Sequence, residues 1–312
     1  MNYLVTGGAG FIGSNYVRML LSHKLGPVHS IKVLDKLTYA GSLENLKPFL
    51  SDPRLSFFHG DICDTAFVAR CVEEGDTIVH FAAESHVDRS IVEPSEFIRT
   101  NVLGTQVLLS IAIAKNVKQF LHVSTDEVYG SIEAGNSTET DPLLPNSPYA
   151  ASKAASDLIV RSYYQTFGLD VRITRCCNNF GPNQFPEKFI PRALKNLKEG
   201  KKVIVYGNGK NLREWIHVED HCIGIQLVID SGVSGGIYNI GSSIELSNLE
   251  LANLILEYAS KPSDWIEFVE DRKGHDYRYS LNSNLIKSQL GFKTSHNFAE
   301  SLRVLVNSVV IK

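Results

Sequence analysis

Two neighbouring carboxylates stand where an apolar run of the sequence ends. Asp126 and Glu127 follow QFLHVS (119–124) in the stretch VSTDEVYG, although two adjacent anions repel each other. In a sheet of parallel strands, ligands bind at the carboxyl ends of the strands, and this pair stands at such an end. The pair is therefore a candidate for acid–base chemistry, with a solvated turn as the alternative interpretation.

A second candidate pair is Tyr149 and Lys153, which form YxxxK in SPYAASKAAS. If this segment is helical, positions i and i+4 share one face, so the ammonium lies near the phenol. An ordinary tyrosine, with a pKa of ~10, is a poor base at neutral pH. A neighbouring cation, together with a positive nicotinamide ring, stabilises the phenolate, so we expect a lowered pKa and a tyrosine that transfers protons.

Three glycines predict a dinucleotide site near the N-terminus. Gly7, Gly10 and Gly13 in TGGAGFIG follow the first predicted strand and open the first predicted helix. The spacing GxxGxxG is a variant of the usual dinucleotide fingerprint. Small residues let the backbone approach a pyrophosphate, and the helix N-terminus offers unpaired N–H groups.

The end of the next predicted strand carries an acid, Asp35. A carboxylate there accepts hydrogen bonds from a ribose 2′-OH and repels a 2′-phosphate, which favours NAD over NADP. Lys36 beside it could tolerate a phosphate, and a solvated turn is the alternative for Asp35. Asp61 and Ile62 end the third strand, where they either reach the adenine or form an Asx turn.

The first half of the chain alternates short β-rich runs with helical stretches, which predicts a doubly wound parallel sheet covered by helices on both faces. Apolar residues recur at helical spacing in 94–114 and 148–167. The predicted strands are YLVT (3–6), IKVL (31–34), LSFF (55–58), TIVHFAA (77–83), QFLHVS (119–124) and VRITR (171–175).

The pattern changes after Arg175. NNFGPNQFPEKFIP is loop-like, and the following runs predict helices near 192–199, 218–230 and 246–259, with strands at 202–207, 213–218 and 237–241. We therefore predict an α/β Rossmann domain over 1–175, joined by a returning segment at about 212–241. Most of 176–312 is predicted to form a smaller, interleaved, mixed α/β substrate-binding lobe.

Composition narrows the range of functions. The chain has 312 residues, 43% of them apolar, and a net charge of −3 from 31 basic and 34 acidic side chains without a long single-sign run. This balance argues against binding nucleic acid or an anionic membrane. No apolar stretch approaches the roughly 20 residues that span a bilayer. MNYLVTGGAG leaves no room for a secretion signal, and five cysteines without CxxC spacing indicate a reduced, cytoplasmic chain.

Taken together, TGGAGFIG, YAASK and STDEVYG resemble the extended short-chain dehydrogenases/reductases that act on nucleotide sugars. Five further segments are similar, in matching order over nearly the whole chain, to the dTDP-glucose 4,6-dehydratases. These segments are HFAAESHVDRS (80–90), NNFGP (178–182), FPEKFIP (185–191), REWIHVEDH (213–221) and DRKGHDYRY (271–279). One loop departs from the family pattern, because Cys177, Phe180 and Asn183 stand where other residues are usual.

The resemblance implies NAD-dependent conversion of dTDP-glucose to dTDP-4-keto-6-deoxyglucose and water, in deoxysugar biosynthesis. Oxidation at C4 acidifies the C5 proton, so elimination across C5 and C6 needs a base and an acid on neighbouring carbons. The resemblance assigns Glu127 as the base and Asp126 as the acid. Thr125 would bind the C4 oxygen, and Tyr149, supported by Lys153, would take its proton.

The resemblance also assigns binding residues and a homodimer. Helices 94–114 and 148–167 would pair with their copies in a four-helix bundle. Cofactor contacts would come from Gly7, Gly10, Phe11, Ile12, Gly13, Asp35, Lys36, Leu37, Thr38, Asp61, Ile62, Phe81, Ala82, Ala83, Ser85, Thr100, Tyr149, Lys153 and Asn179. Substrate contacts would come from Ser85, His86, Thr125, Asn178, Lys188, Val205, Tyr206, Arg213, Asn248, Arg272 and His275. Arg213 and Arg272 suit diphosphate oxygens, although an arginine in a loop is often only surface.

Three alternatives stay open at this point. One is a UDP-sugar 4-epimerase or decarboxylase, and a second is a 4,6-dehydratase of another nucleoside-diphosphate sugar. The third is a non-catalytic NAD-binding regulator, which has no need of the Tyr149–Lys153 pair. His217, His221 and Cys222 could suggest a metal, but no second ligand cluster accompanies them, so we predict no metal and a structural role.

Overall fold

The computed structural model describes residues 1–310 and is built on a seven-stranded sheet in which every neighbouring pair is parallel. Its strands are β1 (Asn2–Thr6), β2 (Ser30–Asp35), β3 (Leu55–His59), β4 (Thr77–His80), β5 (Gln119–Thr125), β6 (Val171–Cys176) and β10 (Ile237–Ile240). They lie in the order β10-β6-β5-β4-β1-β2-β3, so the chain reverses its direction of winding between β1 and β4. The predicted doubly wound fold is confirmed.

Both faces of the sheet are buried, which explains why its strands are continuous apolar runs. Along β1, Leu4 belongs to one hydrophobic core while Tyr3 and Val5 belong to the other. β4 divides its side chains in the same way, with Ile78 and Val79 on opposite faces. This period of two follows from the pleat, and it requires helices on each side.

Helices cover the two faces. They are α1 (Phe11–Leu21), α2 (Thr65–Cys71), α3 (Val87–Val92), α4 (Pro94–Phe97), α5 (Thr105–Ala114), α6 (Pro148–Phe167), α7 (Phe189–Lys198), α8 (Val218–Ser231), α9 (Asn248–Tyr258), α10 (Asn284–Leu290) and α11 (Phe298–Val310). A π-helical segment, Ile98–Gly104, joins α4 to α5, and short 3-10 turns occupy Leu43–Asn45, Lys47–Phe49 and Asp126–Tyr129.

Helix α6 carries the predicted tyrosine and lysine, and its ends are well defined. The Ser147 hydroxyl accepts a hydrogen bond from the backbone N–H of Ala150 at 3.1 Å, and Pro148 occupies the first turn. The helix stops at Gly168, whose φ of 71° is left-handed. Tyr149 is thereby fixed in the first turn and Lys153 one turn later.

The smaller lobe contains two short sheets over a core of its own. β7 (Asn178–Phe180), β9 (Leu212–His217) and β11 (Glu245–Ser247) form one sheet, and β8 (Val203–Tyr206) pairs with β12 (Ile266–Val269). The segment predicted as a loop after Arg175 thus begins with a strand, because Asn178–Phe180 pairs with β9. β4 is shorter than predicted and ends at His80. The division into lobes stays a prediction, and its last residues, 311–312, lie outside the described range.

One expectation about apolar stretches was wrong. Pro94–Ala114 is long and apolar enough, by length and composition, to cross a membrane. In the fold, 44% of its most apolar window is buried. It packs against α6, which accounts for much of its apolar character.

The turn after Asp126–Tyr129 depends on a glycine. Gly130 has φ 78° and ψ −171°, a region that only glycine adopts readily, and a Cβ there would lie 2.1 Å from the carbonyl oxygen of Leu144. Gly168 has a similar φ, but nothing lies within 4 Å of a Cβ built on it.

We expect Gly130→Ala to lower the free energy of unfolding by at least about 2 kcal/mol more than Gly168→Ala, measured by urea denaturation. Both substitutions add one methyl group at a positive φ, so their difference isolates the ψ strain and the clash with Leu144. Equal losses for the two variants would contradict this account of the turn.

Candidate active site

The carboxyl ends of the central strands open into one cavity of about 410 Å³. Of the predicted cofactor and substrate residues, Leu37 and Val205 do not line it, and all the others do. Val205 points into the core of the smaller lobe, because its neighbours Ile204 and Tyr206 take the cavity side of β8. Leu37 packs on the hydrophobic core that contains Tyr3 and Val5, called the main core below, and its backbone N–H donates to Asp35.

The glycine turn fits a dinucleotide. A Cβ on Gly7 would lie 2.6 Å from the backbone nitrogen of Ala82, and one on Gly13 would lie 2.3 Å from the carbonyl oxygen of Gly7. No side chain caps α1 at Gly10, so the first N–H groups of the helix are left for a ligand. These features provide the close approach and the positive helix end that a pyrophosphate needs.

Asp35 is held beside this turn. Its Oδ2 accepts a hydrogen bond from the backbone N–H of Ala9 at 2.9 Å, and its Oδ1 accepts one from Leu37 at 2.8 Å. Burial raises the pKa of Asp35, and these two hydrogen bonds oppose the rise. The carboxylate is therefore oriented by the glycine turn after β1 and by the loop after β2, in the place expected for a ribose contact.

The Lys36 ammonium forms an ion pair with Asp61. Its Nζ lies 3.0 Å from Asp61 Oδ2, and Arg99 reaches the same oxygen at 2.9 Å. Burial opposes the ionisation of Asp61, but the N–H of Cys63 and these two cations outweigh it and lower the pKa of Asp61 to about 2. The engagement of Lys36 by Asp61 weakens the alternative in which Lys36 binds a 2′-phosphate.

Asp126 and Glu127 begin the 3-10 turn that follows β5. The Thr125 hydroxyl donates to Asp126 Oδ1 at 3.0 Å and accepts from the backbone N–H of Glu127 at 3.3 Å. Asp126 is 3% exposed, and its Oδ2 has no hydrogen-bond partner among residues 1–310. Thr125 thus fixes the start of the turn while one carboxyl oxygen stays available.

The two carboxyls experience different surroundings. Burial, and then the charge of Glu127, raise the pKa of Asp126 well above its usual range. Burial also raises the pKa of Glu127, but Lys188, Arg272 and Arg213 oppose the rise. A proton shared by the pair therefore resides on Asp126 and leaves Glu127 as the carboxylate, the split that one acid and one base require.

The expected lowering of the Tyr149 pKa is not found. Burial raises it well above its ordinary value, with further increases from Glu127 and Asp126 and an opposing hydrogen bond with Thr125. The Lys153 ammonium is directed elsewhere, because its Nζ donates to the carbonyl oxygen of Val123 at 2.8 Å. Burial lowers the pKa of Lys153 to about 8. Among the described residues, the phenol is therefore held in its protonated form.

A buried polar chain beneath Lys153 escaped sequence reasoning. Lys153 Nζ lies 3.3 Å from His122 Nε2, which lies 3.4 Å from Asp157 Oδ1. The other Asp157 oxygen accepts from Arg175 Nε at 2.9 Å, and Arg175 Nη1 donates to the Tyr129 hydroxyl at 2.8 Å. The sequence carried one indication of this chain. His122 and Arg175 lie inside apolar runs that predict buried strands, and a charged side chain in such a run needs a buried partner.

The opposite wall of the cavity is cationic. Lys188 Nζ donates to the carbonyl oxygen of Ser85 at 2.7 Å, and Arg272 Nη1 lies 3.5 Å from Asp88 Oδ1. Arg213 is 5% exposed and donates from Nη2 to the carbonyl oxygen of Asp276 at 2.9 Å, so it is not a surface arginine. A site of this charge suits the phosphates of a nucleotide.

Arg192 is a further cation on this wall that sequence reasoning missed. It lies on α7, lines the cavity, and donates from Nη1 to the Tyr206 hydroxyl at 3.1 Å. Arg192 directly follows FPEKFIP (185–191), one of the segments that resemble the family, and this position could have indicated it. Asn178, Asn248, His86 and His275 also line the cavity.

The three residues that could have suggested a metal are separated in space. His221 lines the cavity, and its Nδ1 lies 2.9 Å from Asn179 Oδ1, whereas His217 stacks on His296 at 4.0 Å between ring centroids. Cys222 is buried in the main core. Within residues 1–310, no group of three or more His, Cys, Asp or Glu side chains is arranged to hold a metal ion.

Comparisons with known proteins agree with this geometry. Residues 4–305 match the family model described as GDP-mannose 4,6 dehydratase. The dTDP-glucose 4,6-dehydratase of Streptomyces antibioticus is 53% identical over 305 residues, which is 97% of this chain and 90% of that protein.

Two solved structures are also similar. The dTDP-glucose 4,6-dehydratase DesIV of Streptomyces venezuelae, solved with NAD bound, has a TM-score of 0.97 and 54% identity, covering 98% of this chain and 96% of that one. The UDP-glucose 4-epimerase of Thermotoga maritima has a TM-score of 0.88 at 27% identity, covering 98% of each chain. The fold is thus shared by both enzymes, while the sequence is closer to the dehydratase.

We expect Asp35→Asn to weaken NAD binding by about tenfold and to raise NADP affinity relative to NAD, because the amide accepts more weakly from a ribose hydroxyl and no longer repels a 2′-phosphate. Titration calorimetry with each dinucleotide measures the ratio. Asp52→Asn is the matched control, because Asp52 also accepts a backbone N–H but lies outside the cavity. An unchanged ratio in Asp35→Asn would contradict the ribose contact.

Proposed function

Because this chain belongs to the family of dTDP-glucose 4,6-dehydratases, we propose that it is a hydro-lyase that converts dTDP-glucose to dTDP-4-keto-6-deoxyglucose and water with bound NAD. The observation that carries the proposal is the Asp126–Glu127 pair, whose members have different electrostatic surroundings beside Tyr149. An epimerase has no need of an acid at C6, so the pair favours dehydration.

The first role belongs to Tyr149 and Thr125. When bound, NAD accepts hydride from C4 of the sugar and later returns it to C6. Thr125 binds the C4 oxygen and Tyr149 takes its proton, with Lys153 fixed below the cofactor site by the carbonyl of Val123. The positive charge that bound NAD would supply opposes the carboxylates, which otherwise raise the pKa of Tyr149.

Elimination then falls to the carboxyl pair. Glu127, the member stabilised as an anion by Lys188, Arg213 and Arg272, removes the proton from C5 and returns a proton to C5 when hydride is delivered to C6. Asp126, which burial holds in its protonated form, donates its proton to the oxygen on C6, and that oxygen leaves as water. Each carboxyl thus acts in the protonation state that its surroundings favour.

The lobes divide the substrates. We propose that 1–175 and the returning segment at about 212–241 hold NAD, apart from β9 at the start of that segment, and that β9 and most of 176–312 hold the nucleotide sugar. Lys188, Arg213 and Arg272 would bind the diphosphate, and Arg192 joins them because it lies on the same wall. The five cysteines are all free thiols, which supports a place in the reducing cytoplasm.

We further propose a homodimer through the surface formed by α3, α4, the π-helical segment Ile98–Gly104, α5 and α6. These helices pack against one another, and large apolar side chains remain exposed on their outer side. The exposed residues are Ile91, Val92, Ile98, Leu103, Leu158 and Phe167. An apolar patch on adjacent helices supports a symmetric interface in which the same surface meets its copy.

We expect Glu127→Gln and Asp126→Asn to reduce NAD when dTDP-glucose is added but to release water at least about a hundredfold more slowly than the wild type, since only the elimination needs both groups. Absorbance at 340 nm reports the reduction, and mass spectrometry reports the loss of water. Solvent deuterium at C5 should appear with the wild type and be lost in Glu127→Gln.

Tyr149→Phe is the contrasting variant, because it removes the group that takes the C4 proton. It should show neither absorbance at 340 nm nor loss of water. UDP-glucose in parallel tests the choice of base. Wild-type protein that interconverts C4 epimers and retains the C6 hydroxyl would overturn the dehydratase proposal in favour of an epimerase.

We expect the double substitution Leu103→Glu and Leu158→Glu to convert a dimer to a monomer in size-exclusion chromatography with light scattering, because four buried charges would face one another across the interface. Val304→Glu is the control, as Val304 is 65% exposed on α11, away from this surface. A double variant that stays dimeric would rule out this interface.

A further inference from the structure

Tyr39 stands in the loop between β2 and the first 3-10 turn, only four residues after Asp35. Its neighbours Thr38 and Ala40 line the cavity, but Tyr39 itself does not. Its half-buried ring lies behind the cavity wall. The side chain therefore acts on other protein groups and is a candidate for a positioning role.

The ring is held on two sides. The guanidinium carbon of Arg89 lies 3.8 Å from the centroid of the Tyr39 ring, a close cation–π contact. The ring of Phe185 meets it edge-on, with 5.8 Å between centroids and an angle of 73°. Both partners come from distant parts of the chain, so the contacts tie separate segments together.

The hydroxyl lies near the same two segments. The charge of Glu187 and the polar groups of Ser85 act on it. Burial, followed by the charge of Glu187, raises the pKa of Tyr39 to about 12, so the phenol stays protonated at neutral pH and keeps a proton to donate. Ring and hydroxyl thus act together between 85–89 and 185–187.

All three joined segments line the cavity. Thr38 and Ala40 belong to the side where Asp35 is oriented for a ribose, while Ser85 and Phe185 belong to the side near the substrate wall. Two further contacts link the second and third segments, since Lys188 Nζ donates to the carbonyl of Ser85 at 2.7 Å and His86 Nε2 lies 3.9 Å from Glu187 Oε2. Tyr39 adds the remaining link, from the ribose side to the other two.

We propose that Tyr39, Arg89 and Phe185 form a clasp that retains NAD between turnovers. The inference rests on the proposed function, in which the nicotinamide ends each cycle in its starting oxidation state. A cofactor that left halfway would leave a keto sugar without the hydride needed to complete the reaction. A tie across three cavity segments slows such loss, because the segments must separate before the dinucleotide leaves.

The test measures retention of the cofactor directly. Full-length protein is loaded with NAD, desalted, and assayed at intervals for NAD that remains bound per protomer. Tyr39→Ala should release NAD about tenfold faster than the wild type, since it loses both ring contacts. Tyr39→Phe keeps the ring contacts, and its release rate should stay within about threefold of the wild type.

Tyr258→Ala is the matched control. Tyr258 also lies beneath an arginine, with the guanidinium carbon of Arg303 5.0 Å from its ring centroid, but it packs in the smaller lobe away from the cavity. Its NAD release should equal that of the wild type. Release from Tyr39→Ala at the wild-type rate, or equally fast release from Tyr258→Ala, would overturn the clasp.

Turnover gives a second readout. Tyr39→Ala should lose activity after desalting and regain a nearly normal kcat when excess NAD is supplied, whereas a kcat that stays low in excess NAD would overturn a retention role. The release assay needs no sugar, so it still decides the clasp if dTDP-glucose proves to be the wrong substrate.

Discussion

The burial of a protonated carboxyl group, Asp126, beside a second acid is the constraint on which the rest of the cavity depends. Asp126 is almost completely buried, one of its oxygens has no partner among the described residues, and a second acid follows it immediately. Ionising both groups in one turn costs free energy, because the two negative charges repel each other and are shielded from water. The cations of the smaller lobe face Glu127, and the asymmetry between the two acids results from that placement. The smaller lobe therefore helps to set the charge balance between the two acids.

The backbone around the pair is correspondingly specialised. Thr125 ends a central strand, and its hydroxyl donates to the Asp126 carboxyl and accepts from the backbone N–H of Glu127. Gly130 closes the turn in a conformation that other residues resist. On the neighbouring side, the first turn of α6 presents Tyr149. The positions of these groups are set by the strand, the glycine and the helix cap, so little depends on flexible loops.

Much of the first lobe was predictable from sequence because its signals are local. Strands buried on both faces give continuous apolar runs, and a glycine turn between strand and helix has one main use, so β1 and Gly7, Gly10 and Gly13 were found together. β7 was missed because its two asparagines and one phenylalanine gain strand geometry only by pairing with β9. The chain from His122 through Asp157 to Arg175 was missed for a related reason, since its members meet across three elements.

The directions of side chains and the signs of pKa shifts could not be predicted from the sequence either. The resemblance placed Val205 among the substrate contacts, but only the register of β8 shows that it points into the core. Likewise, the spacing of Tyr149 and Lys153 suggested a lowered phenol pKa, whereas the sign of the shift depends on burial and on two carboxylates nearby. The predicted roles of the cavity residues remain predictions, although the structure gathers nearly all of them in one place.

Helix α6 has 20 residues and is therefore a rod about 30 Å long. Tyr149 stands in its first turn, and the exposed Leu158 and Phe167 stand further along the same rod. In a dimer of the proposed kind, the apolar interface and the phenol would share one continuous helix. A shift of that helix at the interface would then be transmitted along its axis to the edge of the nucleotide cavity.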